Sequence, residues 1–213
     1  MSILEKLNDR QRKAAEKIEG ALLILAGAGS GKTRTITYRI AHMIQELGIS
    51  PYKILAVTFT NKAAKEMKER VEDLVGEDGR RTMVSTFHSF GVRLLRTYGD
   101  RLGYGANFTI YDADDQKRVV KGIMKELVVK DKNLTEGMVV SLISKLKEEE
   151  ISADEYEKSE NKYNMNAVVV AEIYRRYNIT LKNNNGMDFS DILINTAKLL
   201  EIPDILNKVQ DKF

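Results

Sequence analysis

Ala26-Gly27-Ala28-Gly29-Ser30-Gly31-Lys32-Thr33 directly follows the apolar run Ala21-Leu22-Leu23-Ile24-Leu25, and this junction decides how the chain is read. An apolar strand, a glycine-rich turn and a helix in that order form a phosphate-binding arrangement. The glycines let the backbone curl until successive N–H groups point inward, and the helix N-terminus adds the positive end of its dipole. Ala28, Gly29, Ser30 and Gly31 then supply loop amides, Lys32 reaches the β- and γ-phosphates, and the Thr33 hydroxyl ligates Mg²⁺. Lys32 and Thr33 are the candidate catalytic pair within a nucleoside triphosphate site. Ala26 stands where glycine is usual, a mild departure, because that position only turns the chain out of the strand.

Working outward, Asn8 followed by Gln11 has the spacing of a capping box and predicts a helix over residues 9–17 with Leu7, Ala14, Ala15 and Ile18 on its buried side. Ile36, Ile40, Met43 and Ile44 predict a helix from Gly31 to about Leu47, stopped by Gly48 and Pro51. Ile54-Leu55-Ala56-Val57-Thr58 reads as a strand covered on both faces, and Asn61 as the cap of a helix over 62–75. Thr82-Met83-Val84-Ser85 reads as a third strand leading into a helix over 87–102. Alternation of this kind predicts an α/β fold with a parallel sheet. Near Asn107-Phe108-Thr109-Ile110-Tyr111 the pattern changes. Residues 112–186 carry amphipathic helices over 115–129, 136–147 and 167–182 and close in the polar turn Asn183-Asn184-Asn185-Gly186. A helix over 187–200 follows, broken by Pro203, with a last short helix ending at Phe213. Glu148-Glu149-Glu150 reads as a solvated helix end.

Composition excludes several classes. With 213 residues and no cysteine the chain has room for a large core and no disulfide framework, which fits a reducing cytoplasm. The N-terminus lacks an apolar targeting core, and no apolar run approaches the ~18 residues of a membrane span, so a cytoplasmic protein without a membrane partner is expected. A net charge of +3 is only mildly basic, so a nucleic-acid site has to come from local placement. His42 and His88 are the only histidines and show no metal-ligand spacing; His42 reads as a surface helix residue.

Two strand ends present aromatic rings beside polar groups: Thr58-Phe59-Thr60-Asn61-Lys62-Ala63-Ala64 and Ser85-Thr86-Phe87-His88-Ser89-Phe90. Ligands of open parallel sheets gather at such ends, and rings with hydroxyl, amide and imidazole neighbours suit stacking of bases and holding of phosphates. The residues alone favour the other reading, with Phe59, Phe87 and Phe90 in the core and Asn61 and Thr86 as ordinary helix caps.

Together with Gln11, Arg34 and Met187-Asp188-Phe189-Ser190-Asp191, these stretches stand in the order and spacing of the UvrD/Rep/PcrA helicases of superfamily one, which the chain resembles from near residue 5 to its end. The resemblance implies a RecA-like ATP-binding domain over 1–111, an inserted all-helical domain over 112–186 and a return to the first domain over 187–213. It implies that Gln11 recognises adenine, that Arg34 lies beside the base, and that Phe59, Asn61, Thr86, His88 and Phe189 line a path for single-stranded DNA. The implied activity is that of an ATP-dependent 3′-to-5′ DNA helicase acting at a single-strand/duplex junction, with ATP and Mg²⁺ as cofactors. Arg175 and Arg176 read as a solvated face or as contacts to duplex backbone. In these enzymes an acidic strand motif and a second RecA-like domain follow. The 213 residues are therefore expected to be a front portion that alone hydrolyses ATP negligibly and does not unwind DNA, and that is prone to self-association through an incomplete sheet. Alternative readings are a RecB-type helicase-nuclease subunit and a non-hydrolysing nucleotide- and DNA-binding module.

Overall fold

Leu55–Thr58 (β1) and Met83–Thr86 (β2) pair in parallel, Leu55 opposite Met83 and Thr58 opposite Thr86. Asn61–Val75 (α3) and the short helix Glu77–Arg81 (α4) make the crossover between them. They belong to a computed structural model that describes residues 2–159 and 165–213, divided into a unit of Met1–Phe90 with Asn207–Phe213 and a unit of Gly91–Leu206. The architecture is mixed α/β: mostly helical, with two small parallel sheets among the described residues.

In the first unit, Asp9–Glu16 (α1) starts at the expected capping box, with Asn8 Oδ1 accepting from Gln11 N at 2.9 Å and Asn8 N donating to Gln11 Oε1 at 3.2 Å. Lys32–Gln45 (α2) buries Ile40 and Ile44 with Ile54, Met67 and Val71 from the β1–α3 layer. Leu4, Leu7, Ala15 and Tyr38 form a second apolar cluster that seats the N-terminal turn on α2. Glu46 ties that turn down: Ile3 N donates to its Oε1 at 2.7 Å and holds its carboxyl below the usual range. His42 Nδ1 lies 2.7 Å from Glu46 Oε2, so His42 is a half-buried hydrogen-bond partner of Glu46 and not a plain surface residue.

Residues 21–27 form no regular strand, and Leu23 and Leu25 are 81% and 85% exposed. A strand persists only when a neighbour satisfies its backbone, and no described strand lies beside this one. Thr60, not Asn61, caps α3: its hydroxyl accepts from Ala63 N at 3.1 Å, which makes Asn61 the first helical residue. Phe87–Tyr98 (α5) ends before a separate turn at Gly99–Leu102.

The second unit is built on Ala113–Glu126 (α6), Glu136–Glu148 (α7), Ala153–Ser159 (α8) and Met165–Asn183 (α9), whose apolar faces meet at Val120, Ile123, Val139, Ile143, Ile173 and Tyr177. Asp112 caps α6 through a full capping box, and the amides of Asp114 and Asp115 hold its carboxyl below the usual range. Thr109–Ile110 (β3) and Gly186–Met187 (β4) pair in parallel, so the chain enters and leaves the 112–186 stretch at one place. Gly186 is required there, because a Cβ on it would lie 2.4 Å from the Tyr111 ring. Met187 is thus a strand residue and Asp188 a cap, and the helix expected from 187 begins at Phe189: Phe189–Leu200 (α10). The break expected at Pro203 is present: α10 ends at Leu200, and Pro203 opens a separate last helix, Pro203–Lys212 (α11), where its fixed φ and missing N–H cost nothing. Glu148, Glu149 and Glu150 are exposed at the end of α7, as expected. No helix among the described residues is long and apolar enough to cross a membrane.

Candidate functional site

The loop from Ala26 to Gly31 is held by its own lysine. Lys32 Nζ donates to Ala26 O at 2.8 Å and Gly27 O at 2.7 Å, and Ser30 Oγ donates to Gly27 O at 2.7 Å. Gly29 and Gly31 have φ of +73° and +85°, the left-handed region that glycine enters without strain. A Cβ on Gly27 or Gly29 would meet nothing, whereas one on Gly31 would lie 2.7 Å from Gln11 Nε2. The loop therefore presents an open backbone face at the N-terminus of a 14-residue helix, with an ammonium across it. That donor set fits a polyphosphate, and Thr33, half-buried one residue into α2, carries the hydroxyl that fits a magnesium ligand.

Gln11 reaches this loop from α1. Its Oε1 serves the capping box and its Nε2 donates to Ser30 O at 3.0 Å, so one carboxamide joins the helix start to the loop. Spacing alone exposes the first contact but not the second, which spans 19 residues. Arg34 donates to Lys6 O at 2.8 Å, with its guanidinium 5.4 Å from the Tyr38 ring centroid. The helix behind the loop is thus pinned to the N-terminal turn, and Arg39 pins it to α1 by donating to Ala14 O at 2.8 Å.

The ends of β1 and β2 carry the second constellation. Parallel pairing sets Thr58 beside Thr86, so the next residues emerge side by side: Phe59 and Phe87 lie 5.6 Å apart between ring centroids, tilted by 44°. Phe59 is 90% exposed and Phe87 is exposed too, which rules out the core reading for both. Phe90 is half-buried and meets Phe213 edge-on at 6.2 Å. Thr86 is buried, its hydroxyl accepting from Ser89 N at 3.1 Å and donating to Ser89 Oγ at 2.9 Å, so it shapes the start of α5. Asn61 is exposed on the first turn of α3, and His88 is half-buried on the first turn of α5.

Phe189 belongs to the other unit, at the first residue of α10 and about half exposed. Next to it lies a cluster that sequence reasoning missed. Lys147 Nζ lies 2.8 Å from Asp188 Oδ2 and 2.7 Å from Asp191 Oδ1, and Tyr177 OH donates to Asp188 Oδ2 at 2.9 Å. Burial pushes the Asp191 carboxyl up, against the pull of Lys147, and drives the Tyr177 phenol upward as well. No sequence signal marks Lys147 for burial, since a lysine in the last turn of a helix reads as a solvated residue. Arg175 pairs with Asp154, Glu157 and Glu172, and Arg176 with Glu172 and Glu126, so both are engaged within the helical unit.

Residues 7–213 match the family model described as the UvrD/REP helicase N-terminal domain. Over all 213 residues the chain is 45% identical to a Staphylococcus epidermidis protein named ATP-dependent DNA helicase PcrA, and 44% identical to the protein of that name from Staphylococcus aureus. It spans about 29% of the length of those relatives. The chain belongs to the UvrD/REP helicase family and carries its N-terminal domain.

Proposed function

We propose that these residues are the nucleotide-binding and single-strand-tracking portion of an ATP-dependent 3′-to-5′ DNA helicase. The observation that carries the reading is the pair of solvent-exposed rings, Phe59 and Phe87, at two adjoining strand ends in the unit that also holds the phosphate-type loop. Exposed rings are costly to keep in water unless something stacks on them, and bases do so without sequence preference. The Staphylococcus relatives are named ATP-dependent DNA helicases, which supports the ATP-dependent DNA helicase part of this reading.

In this reading ATP lies on the loop amides, Lys32 neutralises phosphate charge, and Thr33 holds Mg²⁺. The metal would offset charge developing on the transferred phosphoryl group. Gln11 recognises adenine by exchanging one of its two present partners, and Arg34 flanks the base. Phe59 and Phe87 stack bases, Asn61 and His88 contact the strand, Thr86 fixes the α5 start beneath them, and Phe189 adds a further stacking ring. The domain division proposed is a RecA-like part over 1–111 and 187–213 with a helical insertion over 112–186, supported by the β3–β4 pairing that brings the two ends of the insertion together. Exposed Leu22, Leu23 and Leu25 support a sheet that gains partners from elsewhere, in a longer chain or a second copy.

The test is fluorescence anisotropy of a labelled oligothymidine with wild type and Phe59→Ala at two salt concentrations. Loss of one stacked base is expected to weaken binding by about tenfold with little change in salt slope, since stacking contributes ~1–3 kcal/mol per base and salt dependence follows phosphate contacts. Equal binding by the two proteins rules out Phe59 as a base platform.

A further inference from the structure

Lys147, at the end of α7, is 4% exposed, and its ammonium is shared by two carboxylates at the start of α10, Asp188 at 3% and Asp191 at 19% exposure. Such a cluster is a poor source of stability, because desolvating three charges offsets most of their attraction and apolar side chains often do as well. What it supplies is orientation. Asp188 uses Oδ1 to cap α10 and Oδ2 to accept from Lys147 and Tyr177; Asp191 uses Oδ2 to accept from Asp188 N and Oδ1 to accept from Lys147. Every one of the four oxygens is spoken for, two by the helix start and two by side chains from α7 and α9. The first turn of α10 is thereby locked against rotation about its own axis, with residues 188 and 191 turned inward. Phe189, the first residue of that turn, is 51% exposed, a large ring on a turn that cannot roll.

We infer that Lys147 and Tyr177 are positioning residues that hold the Phe189 ring at the angle needed to stack on a base of single-stranded nucleic acid, so that two helices of the 112–186 stretch, α7 and α9, set the geometry of a binding residue outside it. This rests on the single-strand reading of Phe189 above.

A double-mutant cycle on the full 213-residue chain tests it, using anisotropy of a fluorescein-labelled oligothymidine and, in parallel, titration of a fluorescent ATP analogue. Phe189→Ala and Lys147→Met are each expected to weaken oligothymidine binding by about tenfold, the loss of one stacked base. Combined, they are expected to cost no more than Phe189→Ala alone, within about twofold, because Lys147 acts only through that ring. Affinity for the ATP analogue stays unchanged throughout. Additive losses, or a parallel loss of analogue binding, overturn the inference by making Lys147 a general structural residue. If Lys147→Met does not fold, Tyr177→Phe, which keeps the ring and removes one hydrogen bond to Asp188, carries the same cycle with the same required non-additivity. Wild type that fails to bind oligothymidine overturns the single-strand reading itself; wild type that binds while Phe189→Ala binds equally well overturns only the role given to Phe189 and its supports.

Discussion

Lys32→Ala lowers affinity for a fluorescent ATP analogue with Mg²⁺ by about a hundredfold or more. A hydrogen bond involving a charged group contributes ~1.5–3 kcal/mol, and an ammonium bridging two phosphates makes more than one of them. The ammonium already lies across the loop, on Ala26 O and Gly27 O, so binding requires only that it exchange carbonyl partners for phosphate oxygens. The helix behind it stands on Ile40 and Ile44 and does not depend on this side chain. The far-UV circular dichroism of the variant should therefore match wild type while the titration flattens. A variant that binds within threefold of wild type contradicts the role given to Lys32.

Asp188→Ala is expected to be the most destabilising single change in the helical unit. It removes the α10 cap, a loss of ~0.5–2 kcal/mol. It also leaves the buried Lys147 with one carboxylate where it had two, and takes the acceptor from Tyr177 OH. Breaking a buried pair by removing one partner costs ~3–5 kcal/mol, so a drop of the thermal midpoint on the order of 10 °C is expected by differential scanning fluorimetry. Asp204→Ala supplies the contrast. Asp204 pairs with Arg101 at 2.9 Å in the same unit, but both are about half exposed, and such solvent-screened surface pairs contribute little to stability. Similar midpoints for the two variants would show that burial of the Asp188 cluster carries little weight.

How much of this was legible depends on how local each signal is. The α1 capping box, the apolar spacing along α2 and the apolar run of β1 are properties of short stretches, and each formed within a residue or two of expectation. Ala21–Leu25 reads as a strand by the same criterion as β1, but strand formation is decided by a neighbour, and sequence periodicity does not show neighbours. The two-residue strands β3 and β4 are the converse: too short to have a period, yet fixed by pairing across 77 residues. Thr60 and Asn61 are both good caps, and only the chain direction leaving β1 selects Thr60.

The glycine loop was readable because its chemistry is written in consecutive residues. Phe59 was ambiguous between core and solvent until parallel register placed it beside Phe87 beyond the end of the sheet. Lys147 was not readable at all: a lysine near a helix end is ordinarily a solvated, dipole-compensating residue. Its burial depends on two aspartates more than 40 positions away.

Amide chemical-shift mapping of the isotopically labelled 213-residue chain, with Mg²⁺-ATP and with oligothymidine added in separate titrations, tests the central claim most directly. Nucleotide shifts are expected to cluster at Gly27 to Thr33 and Gln11, and oligothymidine shifts at Phe59 to Asn61, Phe87, His88 and Phe189. Nucleotide shifts that bypass the loop, or oligothymidine shifts spread over lysine-rich helix faces with none at the aromatic strand ends, would contradict it.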